Sequence, residues 1–278
     1  MFESPLVHYA LYGGGIYLFL NLLALLISDR LIFRPRESGY EHLPNEVRIP
    51  TTNGEMLNAV YLENPVAEHT LLFSHGNAED MSSVVPFMQE YFGNRFSILM
   101  YDYRGYGTSD GTPSCRKAKD DASAAYRWLT EEKKVAPELI LAHGRSLGGA
   151  LAVWTAAHHD VGGLIVEISF ASAFRVKTGI HLVPWDKFNS EKLIRKAACP
   201  VLIIHGKQDH VIPFRHAKLL YAAAPEPKTH LWIEGARHMD YAYVAGERYF
   251  NTISDFIAGV SQNTNAGAPE KSLEKESG

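Results

Sequence analysis

The hydrophobic pattern opens with an uninterrupted run: from Ser4 to Ser28 there is no Asp, Glu, Lys or Arg. Wound as a helix, Leu6 to Ile27 would span about 33 Å, against about 30 Å for the hydrocarbon core of a bilayer. The run is apolar on every side, and Gly13-Gly14-Gly15 suits a membrane helix better than a water-soluble core helix. It predicts an N-terminal membrane anchor over residues 1–29. A cleavable signal peptide fits less well, because MFESP lacks a basic stretch and no small-x-small site follows Leu26. Arg30, Arg34 and Arg36 follow the run while no Lys or Arg precedes it, a bias that predicts a single pass with the rest of the chain in the cytoplasm.

Beyond the run, the pattern switches between strand and helix periods. Residues 45–62 alternate polar and apolar around Asn53-Gly54, as two antiparallel edge strands joined by a tight turn would. Buried strands are predicted at Leu71 to Ser74, Phe96 to Tyr101, the start of ELILAHGRSLGGALAVWTAA (residues 138–157), Gly163 to Ile168, from Val201, and Thr229 to Ile233. Helices are predicted between them: from near Asp80, from about Ser114 to Lys134, through the Ala-rich run after Gly149, and from about Asp240 to Val260. This alternation predicts an α/β domain over residues 30–260, with a mostly parallel sheet and helices on both faces. The tail, residues 261–278, has almost no large apolar residues and is expected to be disordered.

The candidate chemistry sits at strand ends. Gly144-Arg145-Ser146-Leu147-Gly148 lies between a strand and a helix, where Gly-x-Ser-x-Gly holds a serine on a sharp turn with its hydroxyl above the sheet. Side chains at 144 or 148 would collide where strand and helix cross. Asp209 follows the strand from Val201, and His238 follows the last strand, so the order is Ser146, Asp209, His238, separated by 63 and 29 residues. That is the Ser, acid, His order of the α/β-hydrolase arrangement, brought to one edge of a parallel sheet. Of thirteen histidines only His238 follows the last strand, and Glu167 is the second choice for the acid. His75-Gly76-Asn77-Ala78 follows an earlier strand, and the backbone N–H groups of Asn77 and Leu147 are the expected oxyanion donors. His75 is read as bracing its loop, and Asp102 and Arg104 as a local ion pair ordering the glycine-rich loop that follows Tyr101.

Composition narrows the alternatives. A net charge of −4 and a pI near 6.3 leave no basic surface for nucleic acid. Cys115 and Cys199 are too few for a disulfide scaffold or a cysteine-rich metal site, so two reduced thiols are expected. The chemistry needs no metal and no organic cofactor.

The segments LIFRP, SHGNAED, YDYRGYGTSDGTPS, HGRSLGGA, VEISFAS, IHGKQDHVIP and GARH together resemble the membrane-anchored branch of the α/β-hydrolase-domain serine hydrolases, from about residue 30 to 258. The resemblance implies eight strands, a Ser146–His238–Asp209 triad, and hydrolysis of carboxylic esters or acyl thioesters; some relatives are protein depalmitoylases. A lid sits at about residues 170–198 in this fold, here a small cap, with Phe170, Phe174, Ile180, Leu182 and Trp185 available either to an acyl chain or to the core. The substrate would then be an acyl ester or thioester, carried by a lipid or an acylated protein. A serine peptidase of the same fold and a membrane-tethered scaffold are the competing readings.

Overall fold

The computed structural model describes residues 5–178 and 185–266. In chain order the elements are α1 (Pro5–Ile32), β1 (Glu46–Pro50), β2 (Met56–Leu62), β3 (Thr70–Ser74), α2 (Met81–Phe92), β4 (Ser97–Tyr101), α3 (Cys115–Arg127), β5 (Ile140–Arg145) and α4 (Leu147–His158). They continue as β6 (Gly163–Glu167), α5 (Arg175–Thr178), α6 (Ser190–Ile194), β7 (Val201–Gly206), α7 (Arg215–Ala223), β8 (Lys228–Ile233), α8 (Tyr241–Ala245) and α9 (Glu247–Ala266).

All eight strands form one sheet in the order β1-β2-β4-β3-β5-β6-β7-β8. β1, β2 and β4 pair antiparallel, and from β4 to β8 every pairing is parallel. The Asn53-Gly54 turn joins β1 to β2, with Gly54 at φ +85°. Side chains alternate across the parallel strands: Leu72, Ala142, Val166 and Ile203 meet α3 and α4 on one face. Leu71, Phe73, Ile165 and Leu202 meet α2 and α9 on the other. Both faces are covered, which is why these strands read as unbroken apolar runs rather than alternating ones.

Helix starts follow their capping residues. The Asp80 carboxylate accepts from the Ser82 N–H to start α2, and the Ser114 hydroxyl accepts from the Lys117 N–H to start α3. A π turn over Trp128–Glu132 carries α3 onward before the chain enters β5.

Two helices extend across the expected segment boundaries, and one expectation, the Asp102–Arg104 pair, needs correcting. Helix α1 runs past residue 29 to Ile32, because Asp29 is held at its end: its carboxylate accepts from the Cys115 N–H at 3.2 Å and pairs with Lys187 at 3.2 Å. Helix α9 runs to Ala266, beyond the expected boundary at 261, and residues 267–278 lie outside the described residues. An established helix extends at little cost after its last buried contact, here Val260. Asp102 and Arg104 do not pair with each other. Arg104 is buried and has five N–H donors to satisfy, more than one carboxylate can accept. It meets Asp121 at 2.6 Å, Asp120 at 2.9 Å and Glu55 at 3.0 Å.

Candidate active site

The turn from β5 into α4 is held by sterics. A Cβ built on Gly144 would stand 2.1 Å from the Gly148 carbonyl oxygen, and one on Gly148 would stand 1.9 Å from the Ser74 carbonyl oxygen. Only glycine lets β3, β5 and α4 approach this closely. Ser146 itself adopts φ 55°, ψ −116°. Three of the five described non-glycine residues at positive φ, Ala78, Ser146 and Ile168, line one cleft. Backbone strain of about 1–3 kcal/mol per residue is thus concentrated where three strands end.

Ser146, Asp209 and His238 come together across 92 residues of chain. His238 Nε2 lies 3.2 Å from Ser146 Oγ, and His238 Nδ1 lies 2.7 Å from Asp209 Oδ2. The other Asp209 oxygen accepts the backbone N–H groups of Val211 and Ile212, both at 2.8 Å. Burial would raise the Asp209 carboxyl, but the His238 hydrogen bond and charge, with the Ile212 N–H, outweigh it and hold Asp209 below its ordinary value. An ionised acceptor there favours the His238 tautomer with its proton on Nδ1, leaving Nε2 to accept from the Ser146 hydroxyl.

The rival acid is engaged elsewhere. Glu167 accepts from the Tyr241 and Tyr249 hydroxyls, each at 2.6 Å, and lies 2.9 Å from His143. Asp240 points away from the site and accepts the Arg237 N–H. His75 braces its loop as expected, with Nε2 3.1 Å from Asp102 and its ring stacked on Tyr103 at 4.2 Å.

Several residues at the site carry no sequence signal. His205, inside β7, reaches the Ile212 carbonyl at 2.9 Å and lies 3.4 Å from Asp209, steadying the turn that presents the acid. Arg145 places one nitrogen 2.9 Å from each oxygen of Glu79, and Glu79 also accepts the Gly76 N–H. Burial opposes the Arg145 charge, but Tyr241, Glu79 and Glu167 raise it above its ordinary value, so the guanidinium stays protonated. The loop carrying Asn77 is in this way tied to the turn carrying Ser146.

The Asn77 side chain forms a second tie. Its Nδ2 donates to the Ile32 carbonyl, and its Oδ1 accepts from the Arg34 N–H at 3.0 Å and the Tyr106 hydroxyl at 2.6 Å. The last turn of α1 is thereby fastened to the loop over the serine. Asn77→Ala keeps the backbone N–H but removes this clamp. Loosening an active-site loop by about 1 Å costs up to about 100-fold, so kcat is expected to fall 10- to 100-fold with the protein still folded. Unchanged turnover in the full-length variant would show that the clamp does not position the loop.

Above Ser146 lies a cleft of about 580 Å³ whose lining includes Asn77 and Leu147. Leu147 opens α4, so its N–H has no partner within the helix. Of the five expected acyl contacts, Ile180 and Leu182 lie outside the described residues; among the other three, Phe170 lines this cleft, while Phe174 packs edge-on against Trp185 at 4.9 Å. Further apolar wall comes from Leu31 and Ile32 of α1 and from Val176, Val211, Ile212 and Met239, among others.

The fold and the serine turn define an α/β-hydrolase, and the chain belongs to that family. A family described as "Serine aminopeptidase, S33" matches residues 65–198, just under half of the chain. The α/β-hydrolase domain-containing protein 17C of Xenopus laevis is 36% identical over 219 residues, covering 77% of this chain and 70% of that protein. The α/β-hydrolase domain-containing protein aho-3 of Caenorhabditis elegans is 34% identical over 217 residues, covering 76% of this chain and 65% of that one. Among solved structures, an esterase of Pyrococcus furiosus matches with a TM-score of 0.67 at 16% identity, over 81% of this chain and 98% of its own, and bears on the fold alone.

Proposed function

We propose that the protein is a serine hydrolase that cleaves carboxylic esters or acyl thioesters through Ser146, His238 and Asp209. The observation that carries this reading is the continuous hydrogen-bonded line from Ser146 Oγ through His238 to Asp209, at 3.2 and 2.7 Å, on the floor of a largely apolar cleft. His238 takes the serine proton as Oγ attacks the acyl carbonyl, while Asp209 holds the ring and stabilises its charged form. The backbone N–H groups of Asn77 and Leu147 receive the oxyanion, each such donor contributing about 3 kcal/mol where it has been measured in other enzymes. His238 then protonates the leaving alcohol or thiol. Water, activated by the same histidine, releases the acid from the acyl-enzyme.

The acyl chain runs along Phe170, Val176, Ile212 and Met239. The N-terminal helix is long and apolar enough to cross a bilayer, with 22 residues from Leu11 to Ile32 and only 6% of its most apolar window buried. So exposed a helix has no role as a core element of a water-soluble domain. It is read here as the anchor, with the catalytic domain on the cytoplasmic side and an acylated lipid or protein as substrate.

A peptidase reading draws on the description of the matching family. A carboxylate free to pair with the substrate's charged amino group would favour an aminopeptidase. Among the described residues Glu79 is the carboxylate lining this cleft, and Arg145 already holds both of its oxygens. Ester chemistry is therefore favoured. Turnover of p-nitrophenyl esters and acyl thioesters of increasing chain length, compared with aminoacyl amides in detergent, tests this: esters and thioesters are expected to turn over, with longer chains preferred. Preference for the amides would replace this reading with the peptidase one, and no turnover on any of them would favour a scaffold.

A further inference from the structure

The mouth of the cleft has an apolar rim that the reaction does not require. Outside α1, the exposed large apolar side chains among the described residues are Val66, Tyr91, Val211, Met239, Tyr243 and Val244. Four of these six follow closely on Asp209 or His238 in sequence, and Val211 and Met239 line the cleft itself. Met239 is 81% exposed and Tyr243 89%. Chains without a partner for such a patch rarely keep one beside an active site.

Another part of the same cleft lining points to what covers the rim. It is made by Leu31 and Ile32, the last residues of α1, and Leu31 is itself 59% exposed. The end of α1 is fixed to the domain rather than hinged. Asp29 is held by the Cys115 N–H and Lys187, Ile32 and Arg34 by the Asn77 side chain, and Phe33 packs against Phe188 at 6.2 Å. A bilayer around α1 therefore ends beside this cleft. Arg34 and Arg36 are exposed just past the helix, where cations meet anionic headgroups. Tyrosine is enriched at the membrane–water interface, and the methionine and two valines add apolar area for a lipid surface to bury.

We propose that Val211, Met239, Tyr243 and Val244 form a second membrane-contact surface, which seats the cleft mouth on the bilayer that α1 crosses. The occupant is the lipid surface itself. An acyl chain then passes from the hydrocarbon layer into the cleft without crossing water. The inference rests on the hydrolase reading only for what enters the cleft; the contact itself is independent of catalysis.

The test uses the full-length protein in liposomes of zwitterionic and anionic phospholipid. A single cysteine placed at Met239, Tyr243 or Val66 carries an environment-sensitive fluorophore; the native Cys115 and Cys199 are buried, with thiols pushed up to about 12 by burial, and stay unlabelled. Val66 is the control because it precedes β3, at the opposite edge of the parallel strands from the cleft. Labels at 239 and 243 are expected to be quenched by lipids bearing doxyl groups near the headgroup, and the label at 66 is not. Labels at 239 and 243 that behave like the label at 66 would overturn the proposal. A Tyr243→Glu, Val244→Glu double variant adds a functional arm: turnover of a soluble short-chain ester is expected to stay unchanged, while turnover of a long-chain ester in the liposomes falls about tenfold. Equal loss on both substrates, or no loss on either, would count against the rim. If the wild type turns over neither ester, the hydrolase reading fails and the quenching result still decides the contact.

Discussion

Ser146→Ala is expected to lower kcat on acyl esters by about 10^4- to 10^6-fold, because the group proposed to form the acyl-enzyme is removed and water would have to attack unaided. Stability should change by less than about 1 kcal/mol. Ser146 already sits at φ 55° with a Cβ, so alanine meets the same backbone strain, and among the described residues the hydrogen bond the Oγ makes is to His238. The residual rate would come from the Asn77 and Leu147 N–H groups and the cleft, which the substitution leaves in place. Turnover measured in detergent beside the wild type checks this. Retained turnover in a preparation free of other hydrolases would remove Ser146 from the mechanism.

Gly148→Ala is expected to be severe for a different reason. The new methyl group would stand 1.9 Å from the Ser74 carbonyl oxygen and 2.5 Å from that of His75, both backbone atoms that cannot rotate away. Either β3 or α4 must shift, at a cost of about 3 kcal/mol or more. For a domain of this size that lowers Tm by roughly 6–12 °C and displaces the loop that carries Asn77. Gly259→Ala is the control, since nothing lies within 4 Å of a Cβ there and α9 is expected to gain up to about 1 kcal/mol. Thermal unfolding of the two variants separates a close backbone approach from a general effect of losing glycine. Equal Tm values would show that β3 and α4 are not in contact at Gly148.

Much of this was legible in the sequence because its causes are local. The Asn53-Gly54 turn, the approach of Gly144 to Gly148 and the helix starts at Asp80 and Ser114 each act within a few residues of their own position, and Gly148, which meets the distant Ser74 carbonyl, is announced by its spacing from Ser146. Ser146, Asp209 and His238 were legible for a second reason: in a parallel sheet every strand ends at the same edge, so residues after three strands converge. What was illegible depends on distant partners. The Asp102 carboxylate pairs with His75, and Arg104 looks to Asp121, Asp120 and Glu55, choices set by burial rather than by neighbourhood. The Asn77 clamp on Ile32 and Arg34 joins positions more than 40 residues apart, and no periodicity announces it. Among the described residues, the cleft wall draws on Leu31 and Met239, from the end of α1 and from beside His238, as well as on Phe170.

A consequence is that the N-terminal helix, whatever else it does, belongs to the site. Its last turn supplies cleft wall and fastens the loop over the serine. Kinetic comparisons therefore belong on the full-length protein, in detergent or lipid, where that turn is in place.

The most direct measurement is labelling of the purified full-length protein with a fluorophosphonate, followed by mapping of the modified peptide. The account predicts one modified residue, Ser146, with labelling lost in Ser146→Ala and reduced by orders of magnitude in His238→Gln, which keeps the shape but not the base. No labelling of the folded wild type, or a label that maps to another serine and persists in Ser146→Ala, would contradict it.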